Sequence, residues 1–107
     1  EPVAAVRKAA GQYGVTVLLK GAVQYVAGPR STTVQVAVPG PAWTAQAGSG
    51  DVLAGICATL LASGMPAWQA AVCAASAQAL TATANPGPYP PQDVVRQLPA
   101  TIAGLAR

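Results

Sequence analysis

The chain has 107 residues, the size of one small domain or a piece of a larger one, with 8% charged residues and a mean hydropathy of +0.40. Soluble domains carry about 25% charged residues, so this surface has little with which to hold water and is expected to pack against something beyond the chain. The net charge of +3 comes from the scattered residues Arg7, Lys8, Lys20, Arg30, Arg96 and Arg107, with no basic stripe and no interleaved aromatics, which speaks against a nucleic-acid surface.

A membrane is excluded on length. The apolar run Val52–Ser63 stops at Gly64-Met65-Pro66, short of the ~20 residues that a spanning helix needs. Glu1-Pro2-Val3 has no basic region and no apolar stretch of a secretory signal behind it. Cys57 and Cys73 stand in apolar surroundings without histidine, which reads as buried thiols in a reducing compartment, the cytoplasm, and not as a metal site.

In chain order, Pro2 to Tyr13 places Val3, Val6, Ala10 and Tyr13 on one helical face, with Pro2 in the first turn and Gly14 as the stop. Val15-Thr16-Val17-Leu18-Leu19 is a nearly continuous apolar run, the pattern of a buried parallel strand. Val23–Ala27 and Thr32–Val38 read as two more strands joined at Gly28-Pro29-Arg30-Ser31; in the second, Val34, Val36 and Val38 alternate with Thr33, Gln35 and Ala37, so one face is expected to be buried and one wetter. A loop follows from Pro39 to Gly50. The next helix carries Leu53, Ile56, Cys57, Leu60 and Leu61 on one side and Ala54, Gly55, Ala58 and Ala62 on the other, so it is expected to be covered on both.

A further helix, from about Pro66 to Ala82, shows the stripe Trp68, Val72, Ala75 and Ala79. Asn85–Pro91 contains four prolines and predicts an irregular connector. Asp93 is placed to cap a last helix, with Val95, Leu98, Ile102 and Leu105 inward and Pro99 kinking or restarting it. Alternating helix and strand predict an α/β fold.

The stretch Ala45–Gly55, AQAGSGDVLAG, holds the only carboxylate among three acidic residues (Glu1, Asp51, Asp93) that is set in a glycine loop. Gly48-Ser49-Gly50 running into a helix presents backbone N–H groups free of side chains and of helical partners. The helix dipole adds partial positive charge there, so the turn is suited to a phosphate. Asp51 then stands beside that phosphate, where a carboxylate can orient a hydroxyl and accept its proton. The same residues also fit a plainer role, in which Asp51 only caps the helix, an effect of about 1 kcal/mol.

The loop matches neither common phosphate motif. No Lys-Ser/Thr follows its last glycine, and Leu53 stands where a dinucleotide fingerprint wants glycine. Lys20, at the end of the first strand and followed by Gly21, is a second candidate, since α/β proteins bind ligands at strand ends. A lysine at a strand end also reaches to solvent without any ligand.

Val17-Leu18-Leu19-Lys20-Gly21-Ala22 together with Ala47-Gly48-Ser49-Gly50-Asp51-Val52-Leu53-Ala54-Gly55 resembles the ADP/ATP-dependent NAD(P)H-hydrate dehydratases. Ala62-Ser63-Gly64-Met65-Pro66, Gln69-Ala70-Ala71, Asp93-Val94-Val95 and Leu98-Pro99 are similar to later parts of that family. The resemblance implies the C-terminal part of a single ribokinase-like domain, a three-layer fold with a parallel central sheet and a β-hairpin followed by helices. It implies that the N-terminal part of the same protein is needed for activity. The implied function is repair of hydrated NADH and NADPH, in which the hydrate hydroxyl is phosphorylated and eliminated.

By the same resemblance, Lys20, Gly21, Ala22, Val23 and Gln24, with Gly48, Ser49 and Gly50, bind the adenine nucleotide, and Asp51 meets the hydrate and acts on it. ADP or ATP is the implied co-substrate, with Mg²⁺ carried by its phosphates. Gln24 departs from the family's usual threonine, and Ala75-Ser76-Ala77 from a usual His-Gly. A vitamin-precursor kinase of the same fold and a non-catalytic structural fragment are the competing readings. The scarce charge also allows assembly into homo-oligomers.

Overall fold

A computed structural model describes residues 1–105; Arg107, one of the six basic residues, lies outside them. Helix α1 (Pro2–Tyr13) starts at Glu1, whose carboxylate accepts hydrogen bonds from the N–H groups of Val3 and Ala4 at 2.9 and 3.1 Å. Those two bonds hold the Glu1 carboxyl below the ordinary carboxylate value. The helix ends as expected at Gly14, which adopts the left-handed conformation (φ 65°) that a side chain disfavours.

Three short strands follow, β1 (Val17–Leu19), β2 (Tyr25–Ala27) and β3 (Gln35–Val36), in the order β1-β2-β3. Val17 pairs with Ala27 and Leu19 with Tyr25, and Tyr25 pairs with Val36. Both pairings are antiparallel, so the parallel sheet read from the apolar run is not formed among the described residues. β1 occupies the sheet edge, and its residues are half-buried or exposed.

The hairpin exists, but its strands are shorter than predicted. Ser31 Oγ donates to Thr33 O at 2.9 Å and accepts from Thr33 N–H at 3.1 Å. These local bonds compete with the ladder and turn the first residues of the expected strand into a wide loop. The valine face is only partly covered: Val34 packs against the Val6, Ala10 and Ala27 cluster. Val36 and Val38 are exposed, and Ala37 is buried against α3.

A single 3-10 turn (Ala42–Thr44) leads to α2 (Ser49–Ala62), followed by α3 (Ala67–Ala84) and α4 (Pro91–Leu105). α3 lies between α2 and α4 and touches β2. Two apolar clusters sandwich the sheet. Val6, Ala10 and Ala27 with Val17 fill the α1 side, and Leu53, Ala74 and Ala75 with Leu18 fill the α2/α3 side. Neighbouring β1 residues therefore point into opposite layers, as the pleat requires. The result is an α/β/α arrangement in three layers.

Four helix-face expectations change. In α1 Val6 and Ala10 are buried, but Val3 and Tyr13 are exposed. The small face of α2 (Ala54, Gly55, Ala58, Ala62) is exposed, so this chain covers that helix on one side only. Trp68 faces outward, because α3 meets its neighbours through alanines that allow close approach. In α4 the buried pair is Val94 and Leu98, whereas Val95, Ile102 and Leu105 are exposed. α4 starts at Pro91, so Asp93 lies inside the first turn, 3.1 Å from Arg96, and does not form the cap. The helix continues through Pro99.

Candidate functional site

The N-terminus of α2 is built from Gly48, Ser49, Gly50 and Asp51. Gly48 is the N-cap residue in a left-handed conformation (φ 93°). No side chain caps this helix, so Asp51 does not fill the capping role that the sequence also allowed. The Ser49 N–H donates to Gln46 O at 3.1 Å, and the Val52 N–H closes the first helical turn on Gly48 O at 3.2 Å. The amides of Gly50 and Asp51 lie between them, at the positive end of the dipole, where helix geometry supplies no internal acceptor.

Lys20, just past the end of β1, reaches this turn. Its Nζ donates to Ser49 Oγ at 3.4 Å, and a methyl group added to Gly50 would lie 3.4 Å from the same nitrogen. An ammonium thus rests against a helix N-terminus, and both present positive charge to one point. Positive charge beside a positive dipole end is unfavourable on its own, and an anion between them relieves it.

The turn borders a cleft of about 340 Å³, within the range of small-molecule sites. Lys20, Gly21, Ala22 and Gln24 form one wall, and Thr44, Ala45, Ser49 and Gln78 the other. An adjoining hollow of about 250 Å³ shares most of both walls, Gln24 and Gln78 included, and adds the apolar Pro41, Ala42 and Ala79. Gln24 brings an unsatisfied group to this wall, since its buried Oε1 has no hydrogen-bond partner. Gly40 closes the hollow by packing directly on α3, where an added methyl would meet Ala79 Cα at 3.2 Å.

The structure therefore gathers Lys20, Gly21, Ala22, Gln24, Ser49 and Gly50 around one place. Val23 is exposed and does not line this cleft. Gly48 contributes its backbone and faces Pro91, 3.8 Å from where a Cβ would sit. Asp51 is exposed and opens onto another surface, an apolar groove between α2 and α4 bordered by Val52, Ile56, Val95 and Ile102. Successive helix positions diverge by about 100°, which separates Asp51 from Ser49 by most of a half-turn.

Gln78, Thr44 and Ala45 were not singled out in the sequence. The available signal was Gln78 itself, a polar residue among the alanines of α3. Among the described residues no three His, Cys, Asp or Glu side chains come together to hold a metal. No helix there is long and apolar enough to cross a membrane.

Comparison with known proteins identifies relatives of the chain. The chain is 41% identical over 102 residues to the ADP-dependent (S)-NAD(P)H-hydrate dehydratase of Neisseria meningitidis serogroup B, covering 95% of this chain and 31% of that protein. It is 49% identical over 90 residues to the bifunctional NAD(P)H-hydrate repair enzyme Nnr of Mycobacterium leprae, covering 80% of this chain and 19% of that protein. The corresponding enzyme of Salinibacter ruber is 37% identical over 99 residues, 88% of this chain and 18% of that protein. The chain thus spans between about a fifth and a third of the length of these curated relatives. A family model for NAD(P)H-hydrate dehydratase matches residues 1–100, and the chain belongs to that family.

Proposed function

We propose that the protein to which this chain belongs is an ADP- or ATP-dependent (S)-NAD(P)H-hydrate dehydratase of the cytoplasm. In this reading residues 1–107 supply the nucleotide-binding C-terminal part of one ribokinase-like domain, and the preceding part of the polypeptide supplies the remaining contacts to the hydrated NADH or NADPH. The observation that carries the reading is the Lys20 ammonium set against the uncapped first turn of α2, 3.4 Å from Ser49 Oγ.

The residues fit an adenine nucleotide. Lys20 and the amides of Gly50 and Asp51 offer charge and donors to phosphate oxygens, while Gly21, Gly48 and Gly50 leave the backbone open to close approach. The hollow lined by Pro41, Ala42 and Ala79 offers apolar surface to the base. Ser49 adds a hydroxyl beside Lys20. When bound, the nucleotide provides a phosphoryl group that makes the hydrate hydroxyl a good leaving group. Mg²⁺ fits as an ion held mainly by phosphate oxygens and water, since the chain offers few carboxylates.

Asp51 acts on the other reactant in this reading. Its exposed carboxylate, one residue beyond Gly50, orients the hydrate hydroxyl and accepts its proton. In a loose phosphoryl-transfer transition state, position matters more than basicity. Phosphate then leaves with the C–O electron pair and the neighbouring ring carbon gives up a proton to solvent or phosphate, which restores the double bond of the dihydronicotinamide ring.

The test uses the intact protein with hydrated NADH and either ADP or ATP, following the return of reduced-nicotinamide absorbance. Turnover that requires the nucleotide supports the reading. Phosphorylation of a vitamin precursor with no action on the hydrate points instead to a kinase of the same fold.

A further inference from the structure

Gln78 stands on α3 among Ala74, Ala75, Ala79 and Ala82, is only 9% exposed, and borders the cleft from behind. Burying an amide costs free energy unless it is hydrogen-bonded, and this one is: its Nε2 donates to the Ser49 carbonyl oxygen at 3.0 Å. In helix geometry that carbonyl also accepts the amide four residues on, so Gln78 uses its second lone pair. The bond joins residues 29 positions apart and ties the first turn of α2 to a different helix.

The segment before the turn is tied as well. Gln46 Nε2 donates to Trp43 O at 3.0 Å and to Tyr89 O at 2.9 Å. Between these two anchors lie Gly48, whose backbone twists freely, and the Ser49 hydroxyl that meets Lys20. A glycine-rich turn carrying no side-chain cap would otherwise have several orientations of its amides available.

We infer that Gln78 is a positioning residue for the phosphate site: through Ser49 O it fixes the direction in which Ser49 Oγ and the Gly50 N–H point. This deepens the nucleotide reading above and rests on it. Gln78 also borders the hollow offered to the base, but its hydrogen bond goes to Ser49 O, so loss of the amide weakens a phosphate-bearing ligand more than one without phosphate.

The experiment measures binding of ADP and of adenosine to the intact protein, for wild type and for Gln78→Met and Gln78→Glu. Methionine keeps the length and removes the amide; glutamate keeps the shape but has no N–H to donate when ionised. Loss of one hydrogen bond to an aligned turn predicts ADP binding weakened roughly three- to tenfold in Gln78→Met, with adenosine binding weakened by clearly less. Gln78→Glu loses more for ADP, since a carboxylate also repels phosphate, and it carries the test should Gln78→Met fail to fold. Wild-type affinity for ADP in either folded variant overturns the inference, as does a parallel loss of ADP and adenosine. If wild-type protein binds neither ligand, the nucleotide reading itself fails, which is distinguishable from failure of the inference alone.

Discussion

Lys20 and Ser49, 29 positions apart in the chain, meet at 3.4 Å where the end of β1 faces the first turn of α2. The contact places a flexible ammonium where the helix already presents positive partial charge. That arrangement favours a bound anion over the empty state. Lys20→Ala in the intact protein is therefore expected to weaken ADP binding roughly ten- to a hundredfold, the worth of one charge-assisted hydrogen bond. Titration calorimetry at two salt concentrations checks it. Wild-type affinity should fall with added salt more steeply than that of the variant, and equal affinities would remove Lys20 from the site.

Asp51 separates the enzymatic reading from a purely structural one. It makes no cap and lies exposed in the first turn of α2, so its dipole interaction is worth at most about 1 kcal/mol. Asp51→Asn should accordingly leave the unfolding midpoint and ADP affinity almost unchanged. Hydrate turnover should drop roughly 10²- to 10⁴-fold, the usual contribution of a positioned base. Unchanged turnover would show that the carboxylate takes no part in the reaction.

Two glycines predict opposite stability effects. Gly48 has φ 93°, and space for a Cβ exists there, with Pro91 Cγ at 3.8 Å. The penalty for alanine is thus one of backbone conformation, about 1–2 kcal/mol of destabilisation. Gly11 lies inside α1 with nothing within 4 Å of an added Cβ. Gly11→Ala should stabilise by about 0.5–1 kcal/mol. Chemical denaturation of the two variants in the same background reads both signs.

Much of this arrangement is legible in the residues. Pro2 and Gly14 bound α1, and the glycine loop before Val52 marks the start of α2, because these signals act within a few positions. What could not be read depends on partners far along the chain. Val95 and Ile102 repeat at helical spacing as well as Val94 and Leu98 do, and only α3 decides which pair is covered. In α3 the large Trp68 reads as core, yet alanines take the interface because they permit close contact. Ahead of β3 the Ser31 hydroxyl, bonded to the Thr33 backbone, wins over strand propensity. Lys20 and the glycine loop were legible as separate candidates, but not their contact. Gln78 is marked in the sequence only as an amide among alanines; its partner, the Ser49 carbonyl, leaves no mark there.

The exposed small face of α2 gives the last prediction. Ala54, Gly55 and Ala58 face solvent in this chain, beside the apolar groove formed with Val95 and Ile102. A helix stripe of such small residues suits close approach by another element, and the relatives carry three to five times this length of chain in which to find one. On the proposed reading the preceding polypeptide covers this face. In the isolated 107-residue chain, Ala58→Glu is then a surface change and should shift stability by less than about 0.5 kcal/mol. In the intact protein the same substitution places a carboxylate in a packed interface, where an unpaired charge is strongly disfavoured, and should cost several times more. Parallel denaturation of the two lengths of chain makes the comparison. Equal, small effects in both would mean that α2 stays open on that side and that the rest of the protein docks elsewhere.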